Sequence, residues 1–374
     1  MILPPATLGM LGGGQLGRYF VMAAHRLGYK VVVLDPDPAS IAGAAADHHI
    51  VAAYDDPTAL HDLASRCAAV TCEFENVPAT ALALLEQYQP VRPAAGAVRI
   101  CQDRREEKAF LSRAGIPVAP NQTLQPGEPL PELPDHLFPA ILKTAREGYD
   151  GKGQWTIQAA DQLPAALAAS GVPCVLEKRL PLEGEFSLTL ARSPSGAIGA
   201  LPLVQNWHNG GILDQTRSPA NMPALEADAR RIAEQLIAAL DYVGVLTVEF
   251  FLVAGKLLVN EMAPRPHNSG HPSLDNAECS QFELQVRALC DLPLPARIAV
   301  RPAMLLNLLG DLWQAGTPDW AALLALPGVH LHLYGKGEPR PGRKMGHVTI
   351  TAADWPTVEE TCQRVRQLLG LPPR

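Results

Sequence analysis

The feature that most constrains the fold is a pair of neighbouring strand-like segments, each of which carries one glutamate. Segment 246–252 reads Leu-Thr-Val-Glu-Phe-Phe-Leu, and segment 257–263 reads Leu-Leu-Val-Asn-Glu-Met-Ala after a Val-Ala-Gly-Lys turn. Strand interiors disfavour carboxylates unless a neighbouring group compensates their charge. If the turn is a three-residue loop centred on Gly255, Glu249 and Glu261 are cross-strand partners with Cβ atoms roughly 5 Å apart. We therefore expect a hairpin that presents both carboxylates on one face.

Two carboxylates at this separation repel each other unless a cation lies between them. Mg²⁺ prefers oxygen ligands and keeps coordination positions for phosphate oxygens, so the hairpin is a candidate metal–nucleotide site. A dense polar cluster surrounds its second strand, made of Asn260, Arg265, His267, Asn268 and His271. The alternative is a hairpin whose glutamates simply face solvent, and the hairpin by itself favours neither interpretation.

Length and charge exclude several other classes of protein. A chain of 374 residues is too long for one ordinary core and predicts two or three domains. The net charge of −7 argues against general nucleic-acid binding. The sequence shows no signal-peptide pattern and no run of about 18 apolar residues that could span a bilayer. We therefore expect a cytoplasmic protein that binds neither nucleic acid nor membranes.

Alternating strand and helix patterns near the amino terminus predict a doubly wound α/β domain. A strand at Thr7–Leu11, a helix over 15–27 and a strand at Lys30–Leu34 form a βαβ unit, and Ala69–Cys72 is a further strand. One helix over 98–114 is expected to precede a proline-rich linker. The predicted domains are a Rossmann-like substrate-binding domain (1–98), a small α+β lid domain with the linker (99–185) and a catalytic domain with a β-rich terminal extension (186–374).

The turn after the first predicted strand has the pattern Gly-x-Gly-x-x-Gly at Gly12, Gly14 and Gly17, and Asp35 ends the next strand. Glycines at this spacing let backbone N–H groups approach a phosphate at the amino end of a helix, and the acid can bind a ribose hydroxyl. Alone, the motif indicates an NAD-dependent enzyme or, more broadly, a site for a phosphate or ribose group. A tight βα turn without a ligand is the alternative.

Three further segments carry groups that can bind a nucleotide or a phosphate. Segment 143–154 has three glycines among lysines, which predicts a flexible loop over a polyphosphate. Segment 175–185 is a strand that leads into a charged loop suited to adenine and ribose, and segment 334–347 has basic groups suited to a phosphate monoester. An incidental hairpin turn, a solvated loop and a basic surface turn are the respective alternatives.

In this order, the motifs resemble those of the ATP-grasp superfamily and, within it, of the N5-carboxyaminoimidazole ribonucleotide synthetases of purine biosynthesis. The resemblance covers nearly the whole chain and is carried by segments 12–18, 148–154, 260–271 and 343–347. The sequence His-Asn-Ser-Gly-His in the third segment is close to diagnostic of this branch. The resemblance implies an α/β ATP-grasp fold with an amino-terminal Rossmann-like (pre-ATP-grasp) domain, a small α+β lid and a carboxy-terminal α+β domain.

The resemblance also implies an ATP-dependent carboxylation. Similar enzymes activate bicarbonate with ATP to give carboxyphosphate and ADP, and 5-aminoimidazole ribonucleotide is then carboxylated on its amine while phosphate leaves. Such chemistry requires positioning and charge neutralisation rather than a protein nucleophile. The implied cofactor is Mg²⁺, with Mn²⁺ as an alternative, and the implied assembly is a homodimer.

Carried over residue by residue, the resemblance assigns Glu249 and Glu261 to the metal. It assigns Arg265, His267 and Lys152 to catalysis, although the family commonly has arginine at the position of Lys152. The residues assigned to ATP are Arg104, Lys143, Gly148, Tyr149, Asp150, Gly151, Lys152, Gly153, Gln154, Glu177, Lys178, Arg179, Leu180, Glu185, His208, Asn260 and Glu261. The residues assigned to the imidazole ribonucleotide are Gly14, Gln15, Leu16, Glu75, Tyr149, Asn268, Lys336 and Arg343.

Three alternative functions remain at this point. Another ATP-grasp ligase, such as formate-dependent glycinamide ribonucleotide transformylase or biotin carboxylase, is disfavoured by the chain length and by the segment Gly-Arg-Lys-Met-Gly-His. An NAD-dependent oxidoreductase would rest on segment 12–17 and Asp35, and it leaves the glutamate hairpin unexplained. A non-catalytic nucleotide-binding subunit would bind ATP without turnover.

Overall fold

The amino-terminal part of the protein is a parallel four-stranded sheet with the strand order β3-β2-β1-β4. We describe it from a computed structural model, which covers residues 1–148 and 151–373. The strands are β1 Thr7–Leu11, β2 Lys30–Leu34, β3 His48–Ile50 and β4 Ala69–Cys72, and the helices are α1 Gln15–Arg26, α2 Pro57–Arg66, α3 Ala79–Leu85 and α4 Ala95–Cys101. The predicted βαβ unit is confirmed, because β1 pairs in parallel with both β2 and β4.

The single helix predicted over 98–114 is wrong, because the structure breaks it into two. Helix α4 ends at Cys101, and α5 (Arg104–Arg113) begins after Asp103, whose carboxylate accepts a hydrogen bond from the Arg105 N–H at 3.0 Å. An aspartate in this position caps the first turn of a new helix. The break makes Arg104 the first residue of α5, where its side chain reaches the cavity described below.

The middle of the chain forms a small antiparallel sheet with the order β5-β8-β6-β7. Its elements are β5 Asn121–Leu124, β6 Ala140–Thr144, β7 Gln154–Ile157, α6 Leu163–Ser170 and β8 Cys174–Lys178. Apolar residues of α6, including Leu163 and Leu167, pack with Leu142 and Leu176 of the sheet. Lys143 and Gln154 are paired across β6 and β7, so the glycine-rich loop connects these two strands.

The rest of the chain is built on a nine-stranded antiparallel sheet with the order β14-β13-β9-β11-β12-β15-β17-β16, and β10 pairs with β9. The strands are β9 Gly184–Arg192, β10 Ile198–Ala200, β11 Val204–Asn209, β12 Ile212–Ser218, β13 Gly244–Val253, β14 Lys256–Ala263, β15 Ala303–Leu309, β16 Val329–Leu333 and β17 Lys344–Thr351. The helices are α7 Pro223–Ala239, α8 Ser273–Asn276, α9 Gln281–Cys290, α10 Trp320–Leu324 and α11 Trp355–Leu368. Within the described ranges, no helix has both the length and the apolar character needed to cross a bilayer.

The hairpin of β13 and β14 confirms the predicted pairing of Glu249 with Glu261. The predicted three-residue loop is wrong, because only Ala254 and Gly255 connect the strands, at φ values of 48° and 70°. Two central residues with positive φ are typical of a type I′ turn, whose twist matches that of the strands. A bulge restores the pairing: Phe250 lies opposite Val259, so Asn260 is the extra residue before Glu261.

Candidate active site

A cavity of about 1070 Å³ is lined by residues of the two antiparallel sheets and, from the amino-terminal part, by residues of α1 and of the loop after β4. Most of the predicted site residues lie in its wall, namely Gln15, Leu16, Glu75, Arg104, Lys143, Gly148, Gly151, Gln154, Glu177, Lys178, Arg179, Leu180, Glu185, His208, Glu249, Asn260, Glu261, Arg265, His267 and Asn268. The sequence motifs lie far apart along the chain, and the fold brings them to one place. The cavity is therefore the candidate active site, although the individual roles of these residues stay predictions.

The two paired glutamates each face a cationic or ionisable partner in the cavity. Glu261 Oε2 accepts a hydrogen bond from an Arg104 terminal nitrogen at 2.7 Å, and Glu249 Oε1 lies 3.1 Å from His267 Nε2. Burial alone would raise the pKa of Glu261, but the charge and the hydrogen bond of Arg104, together with other nearby positive charges such as Lys143, lower it to about 2. Glu261 is therefore ionised at neutral pH, and the hard oxygen donors of the pair suit Mg²⁺.

A buried cluster of two lysines and one glutamate lies beside this pair. Lys143 Nζ is 3.0 Å from Glu177 Oε2, and Lys108 Nζ is 3.4 Å from Glu177 Oε1. Burial lowers the pKa of Lys143. Burial alone would raise the pKa of Glu177, but the positive charge of Lys143 helps to keep the pKa of Glu177 below its usual value. Lys108 also donates to the Asn260 carbonyl at 2.7 Å, which ties α5 to the bulge in β14. Glu177 thus holds the predicted phosphate-binding Lys143 in place.

Lys108 and Glu107 are residues of this site that the sequence reasoning missed. Both are about 2% exposed, and Glu107 lines the cavity. Glu107 Oε1 accepts a hydrogen bond from the Met262 N–H at 2.6 Å. Burial raises the pKa of Glu107 to about 7, well above the roughly 4.3 of an unfolded chain. The contribution of protonated Glu107 to the free energy of unfolding is therefore fully present below about pH 4 and is lost as pH rises through 7.

Replacing Glu107 by glutamine is expected to make the protein more stable at pH 8, by roughly 1 to 3 kcal/mol relative to wild type. Glutamine keeps an oxygen acceptor for the Met262 N–H but carries no charge to bury. Urea unfolding at pH 5.5 and pH 8 measures the difference, and the exposed Glu106→Gln serves as the matched control. If the free energy of unfolding depended on pH in the same way in Glu107→Gln and wild type, the raised pKa of Glu107 would be contradicted.

Arg265 and Glu75 form a two-pronged ion pair in the wall of the cavity. Arg265 Nε and a terminal nitrogen both donate to the Glu75 carboxylate, the second at 3.1 Å. Burial alone would lower the pKa of Arg265 and raise that of Glu75, but the partner's charge and hydrogen bonding, together with smaller neighbouring effects, shift each pKa in the opposite direction. Both groups are therefore charged, and the pair links the loop after β4 to the loop after β14.

His267 stands between this ion pair and the glutamates. Its Nδ1 lies 2.8 Å from Ser269 Oγ, which is 2.6 Å from Ser187 Oγ. These contacts fix the ring so that Nε2 points at Glu249. Near the opposite wall, His208 Nδ1 lies 3.1 Å from Glu185 Oε2. Burial alone would lower the pKa of His208, but the Glu185 carboxylate raises it.

The glycine turn after β1 is filled by a carboxylate of the protein itself. Glu73, which follows β4, accepts hydrogen bonds from the backbone N–H groups of Gly14 and Gly17, the second at 2.6 Å. Asp35 is likewise engaged, because it accepts from the Tyr54 hydroxyl at 2.5 Å. The amides that would bind a phosphate already have an anionic acceptor, so this geometry does not favour an NAD site. Gln15 and Leu16, rather than the Gly14 amide, face the cavity.

Gly12→Ala is expected to destabilise the protein by more than Gly28→Ala does. Both glycines have positive φ, 113° and 85°, so alanine is strained by about 1 to 3 kcal/mol at either position. Only at Gly12 would the added Cβ also lie 2.3 Å from Glu73 Cγ, which adds roughly 1 to 3 kcal/mol of overpacking. Urea unfolding measures both losses, and equal losses would show that Glu73 does not determine the turn.

The glycine loop and the basic segment reach the cavity only in part. Gly148, Gly151 and Gln154 line it, while Tyr149 and Asp150 lie outside the described residues. The described lining does not include Gly14, Lys152, Gly153, Lys336 or Arg343, but it does include Lys344, which the sequence reasoning did not select. Lys336 Nζ donates to the Lys344 carbonyl at 3.0 Å, and Arg343 donates to the Glu338 carbonyl at 3.0 Å.

The cavity therefore combines two chemical environments. Paired carboxylates beside Lys143 and Arg104 suit a polyphosphate with a divalent cation. The Arg265–Glu75 pair and His267, which contacts Glu249, suit a small anion next to a polar ligand. The arrangement can support transfer of a phosphoryl group to an anionic acceptor.

Three protein-family models match the chain along its length. They are a ribonucleotide synthetase pre-ATP-grasp domain over residues 5–102, an ATP-grasp domain over 109–282 and a phosphoribosylaminoimidazole carboxylase carboxy-terminal domain over 303–361. The three matches follow one another without overlap. They confirm the α/β fold class with its amino-terminal pre-ATP-grasp domain.

Individual relatives agree with the family models over nearly the full chain. The N5-carboxyaminoimidazole ribonucleotide synthase of Pseudomonas aeruginosa is 41% identical over 97% of this chain and 99% of its own length. The crystal structure of the N5-carboxyaminoimidazole ribonucleotide synthetase of Thermus thermophilus matches with a TM-score of 0.89 and 39% identity, over 98% of this chain and 99% of its own. The Aspergillus clavatus synthase in complex with ADP and 5-aminoimidazole ribonucleotide matches with a TM-score of 0.86 and 30% identity, over 98% of each chain.

Proposed function

Since the chain belongs to the family of N5-carboxyaminoimidazole ribonucleotide synthases, a branch of the ATP-grasp enzymes, we propose that it carboxylates 5-aminoimidazole ribonucleotide with bicarbonate. It is an ATP-dependent ligase that forms a C–N bond in purine biosynthesis. ATP is converted to ADP and phosphate through carboxyphosphate. The NAD-dependent and formate-dependent alternatives are not favoured by this family membership.

The observation that carries the proposal is the placement of two functional groups in one cavity. Arg104 contacts Glu261, Lys143 Nζ lies 3.4 Å from Oδ1 of the adjacent Asn260, and the Arg265–Glu75 pair and His267 line the same cavity. A nucleotide held at the first group would direct its terminal phosphate toward an anion held at the second. A binding subunit without turnover has no need for the second group.

At the nucleotide side, the protein's own charges position the phosphates. Glu249 and Glu261 would hold Mg²⁺, or Mn²⁺, which supplies charge neutralisation at the transferred phosphoryl group. Lys143, oriented by Glu177, and Arg104 bind phosphate oxygens and lower the negative charge around them. Gly148, Gly151 and Gln154 line the cavity, and Lys152 between them supplies a cation for the phosphates.

At the acceptor side, Arg265 and His267 hold bicarbonate in line with the γ-phosphate. A bicarbonate oxygen forms the bond to phosphorus and the bond to ADP breaks, which gives carboxyphosphate. The amine of the imidazole ribonucleotide then attacks the carboxyl carbon, the C–O bond to phosphate breaks, and phosphate takes up the amine proton. Arg265 stabilises the anions formed in both steps through its planar guanidinium.

We also propose a homodimer in the cytoplasm, with the domain divisions at residues 98 and 185 given above. Membership of this family supports the homodimer, because a homodimer is the assembly expected of similar enzymes. Size-exclusion chromatography with light scattering measures the mass in solution directly. A mass of twice the 40.1 kDa chain supports the dimer, and a single-chain mass at micromolar concentration contradicts it.

The reaction is tested by ADP release at fixed ATP, Mg²⁺ and bicarbonate. We expect ADP to be released rapidly only when 5-aminoimidazole ribonucleotide is present, and one phosphate to be released with each ADP. Formate with glycinamide ribonucleotide, or biotin, should give no stimulation. Stimulation by either of these and not by the imidazole ribonucleotide would overturn the proposal, and ATP binding without any turnover would support a binding subunit.

Lys344→Met is expected to raise the KM for the imidazole ribonucleotide at least about 10-fold, as removal of a charged phosphate partner usually does. Lys344 lines the cavity, whereas Arg343, which the sequence assigned to the same phosphate, donates to the Glu338 carbonyl. Arg343→Met is the matched comparison in steady-state kinetics. A larger rise in Arg343→Met would restore the sequence-based assignment, and unchanged values in both would place the phosphate elsewhere.

A further inference from the structure

A cluster of two histidines and one aspartate lies at the junction of α8, β16 and β17, apart from the residues that line the active-site cavity. Asp275 is in α8, His332 in β16 and His347 in β17. One ligating atom from each side chain lies within 4.8 Å of the other two. Nothing in the proposed carboxylation uses these three groups, so their convergence calls for a separate explanation.

The three side chains are arranged as neighbouring metal ligands would be. His332 and His347 are directly opposite each other in the antiparallel pair β16–β17, with ring centroids 4.4 Å apart. His332 Nε2 is 2.9 Å from Asp275 Oδ2. Ligand atoms around one ion with bonds of about 2.1 Å lie roughly 3 to 4 Å apart. Because the two rings are stacked with 11° between their planes, the side chains would have to rotate to direct both nitrogens at one ion.

Hydrogen bonding supports a ligand role for His347 in particular. Its ring is fully buried, and its Nε2 has no hydrogen-bond partner within the described part of the chain. Its Nδ1 lies 2.9 Å from the Tyr334 hydroxyl. A ligating histidine typically bonds an oxygen through the ring nitrogen that does not bind the metal. The Nε2 of His271, whose ring lies 5.0 Å from that of His347, is also buried without a partner in this part of the protein.

We propose that Asp275, His332 and His347 bind one divalent transition-metal ion of the Zn²⁺ class. Two imidazoles and one carboxylate are typical ligands of Zn²⁺ or Co²⁺, whereas Mg²⁺ prefers oxygen donors alone. The side chains of His332 and Asp275 are 21% and 12% exposed, so solvent reaches this cluster. The site is separate from the Glu249–Glu261 pair and does not depend on the proposed function.

Such an ion would connect parts of the chain that are distant in sequence. Asp275 follows the His-Asn-Ser-Gly-His segment, whereas His332 and His347 belong to the terminal strands. Tyr19 of α1 packs its ring 5.9 Å from that of His332. Binding of the ion should therefore stabilise the folded protein at this junction by mass action.

Titration with Co²⁺ tests the site, because its visible absorption reports coordination by protein ligands. The sample is chelator-treated full-length protein without a histidine tag, in excess Mg²⁺ to saturate oxygen-ligand sites. We expect one equivalent of Co²⁺ to bind, to be displaced by Zn²⁺, and to raise the melting temperature. His332→Ala and Asp275→Asn should each weaken binding at least about 10-fold.

His25→Ala is the matched control, since His25 and Asp47 form a similar pair at 2.8 Å that belongs to no three-residue group among the described residues. Its Co²⁺ binding should equal that of wild type, and melting without metal verifies that all variants are folded. The proposal is overturned if wild type shows no saturable binding. It is also overturned if binding is unchanged in both His332→Ala and Asp275→Asn.

Discussion

Replacing Glu261 by glutamine is expected to lower turnover at least about 1000-fold while the protein remains folded. Glutamine has nearly the same volume, but it replaces the ionised carboxylate, whose pKa Arg104 and other nearby positive charges lower to about 2, with a neutral amide. It also removes the negative charge of the group that accepts a hydrogen bond from Arg104 at 2.7 Å. Both losses act on the phosphates of ATP, one through the metal and the other through the guanidinium.

Steady-state rates over a wide range of Mg²⁺ concentration measure this effect, and thermal melting shows whether the variant is folded. The matched control is Glu183→Gln, because Glu183 accepts a hydrogen bond from the Gly255 N–H at the turn of the same hairpin, away from the carboxylate pair. It should keep near-native turnover. A Glu261→Gln enzyme with a near-native rate at low Mg²⁺ would rule out Glu261 as a metal ligand.

Replacing Arg265 by lysine is expected to lower kcat about 100- to 1000-fold, with a much smaller effect on the KM for ATP. Lysine keeps the charge but cannot make the two-pronged contact that Arg265 makes with Glu75. Because the anion formed from bicarbonate needs the same planar donor, the loss should appear in the chemical step. ATP binding depends on the other side of the cavity and should change little.

Single-turnover kinetics separate the chemical step from nucleotide binding for this variant. Arg217→Lys is the matched control, since Arg217 pairs with Glu359 at 2.9 Å and lies outside the cavity lining. It should show native kinetics. If Arg265→Lys raised the KM for ATP and left kcat unchanged, Arg265 would belong to the nucleotide site rather than to the acceptor site.

The glutamate hairpin shows what could be predicted from the residues alone. Strand periodicity and an assumed three-residue loop centred on Gly255 placed Glu249 opposite Glu261, and the structure confirms that pairing although the loop has only two residues. The structural basis of the pairing could not be predicted from the sequence, because nothing distinguishes Asn260 from an ordinary strand residue or marks it as a bulge. The register of a hairpin is set by its turn and by any bulge together. A three-residue loop without a bulge and a two-residue loop with a bulge at Asn260 both place Glu249 opposite Glu261.

The glycine turn shows where local reasoning fails. Its pattern correctly predicts backbone amides that donate to an acidic group at the start of α1, but the acceptor is Glu73, which is 59 residues from Gly14 and 56 from Gly17. No local pattern distinguishes an internal carboxylate from a bound phosphate. Fold and family membership, and not the motif by itself, argue against a dinucleotide here.

Lys108 and Glu107 were missed for a related reason. In sequence they lie in a highly charged segment, Arg-Arg-Glu-Glu-Lys, that is typical of a solvent-facing helix. Both are buried because α5 packs beside β14, where Met262 and Asn260 supply backbone partners. The break before α5 could have been found, since Asp103 followed by Glu106 is a recognisable helix start.

The central claim, that ATP phosphorylates bicarbonate before the imidazole ribonucleotide is carboxylated, is tested most directly with ¹⁸O-labelled bicarbonate. Because a bicarbonate oxygen would form the new bond to phosphorus, we predict one ¹⁸O atom in each phosphate released in the presence of 5-aminoimidazole ribonucleotide. Mass spectrometry of phosphate, collected before bicarbonate exchanges its oxygens with water, measures the transfer. Phosphate without the label, formed at the same rate, would show that water attacks ATP and would contradict the account.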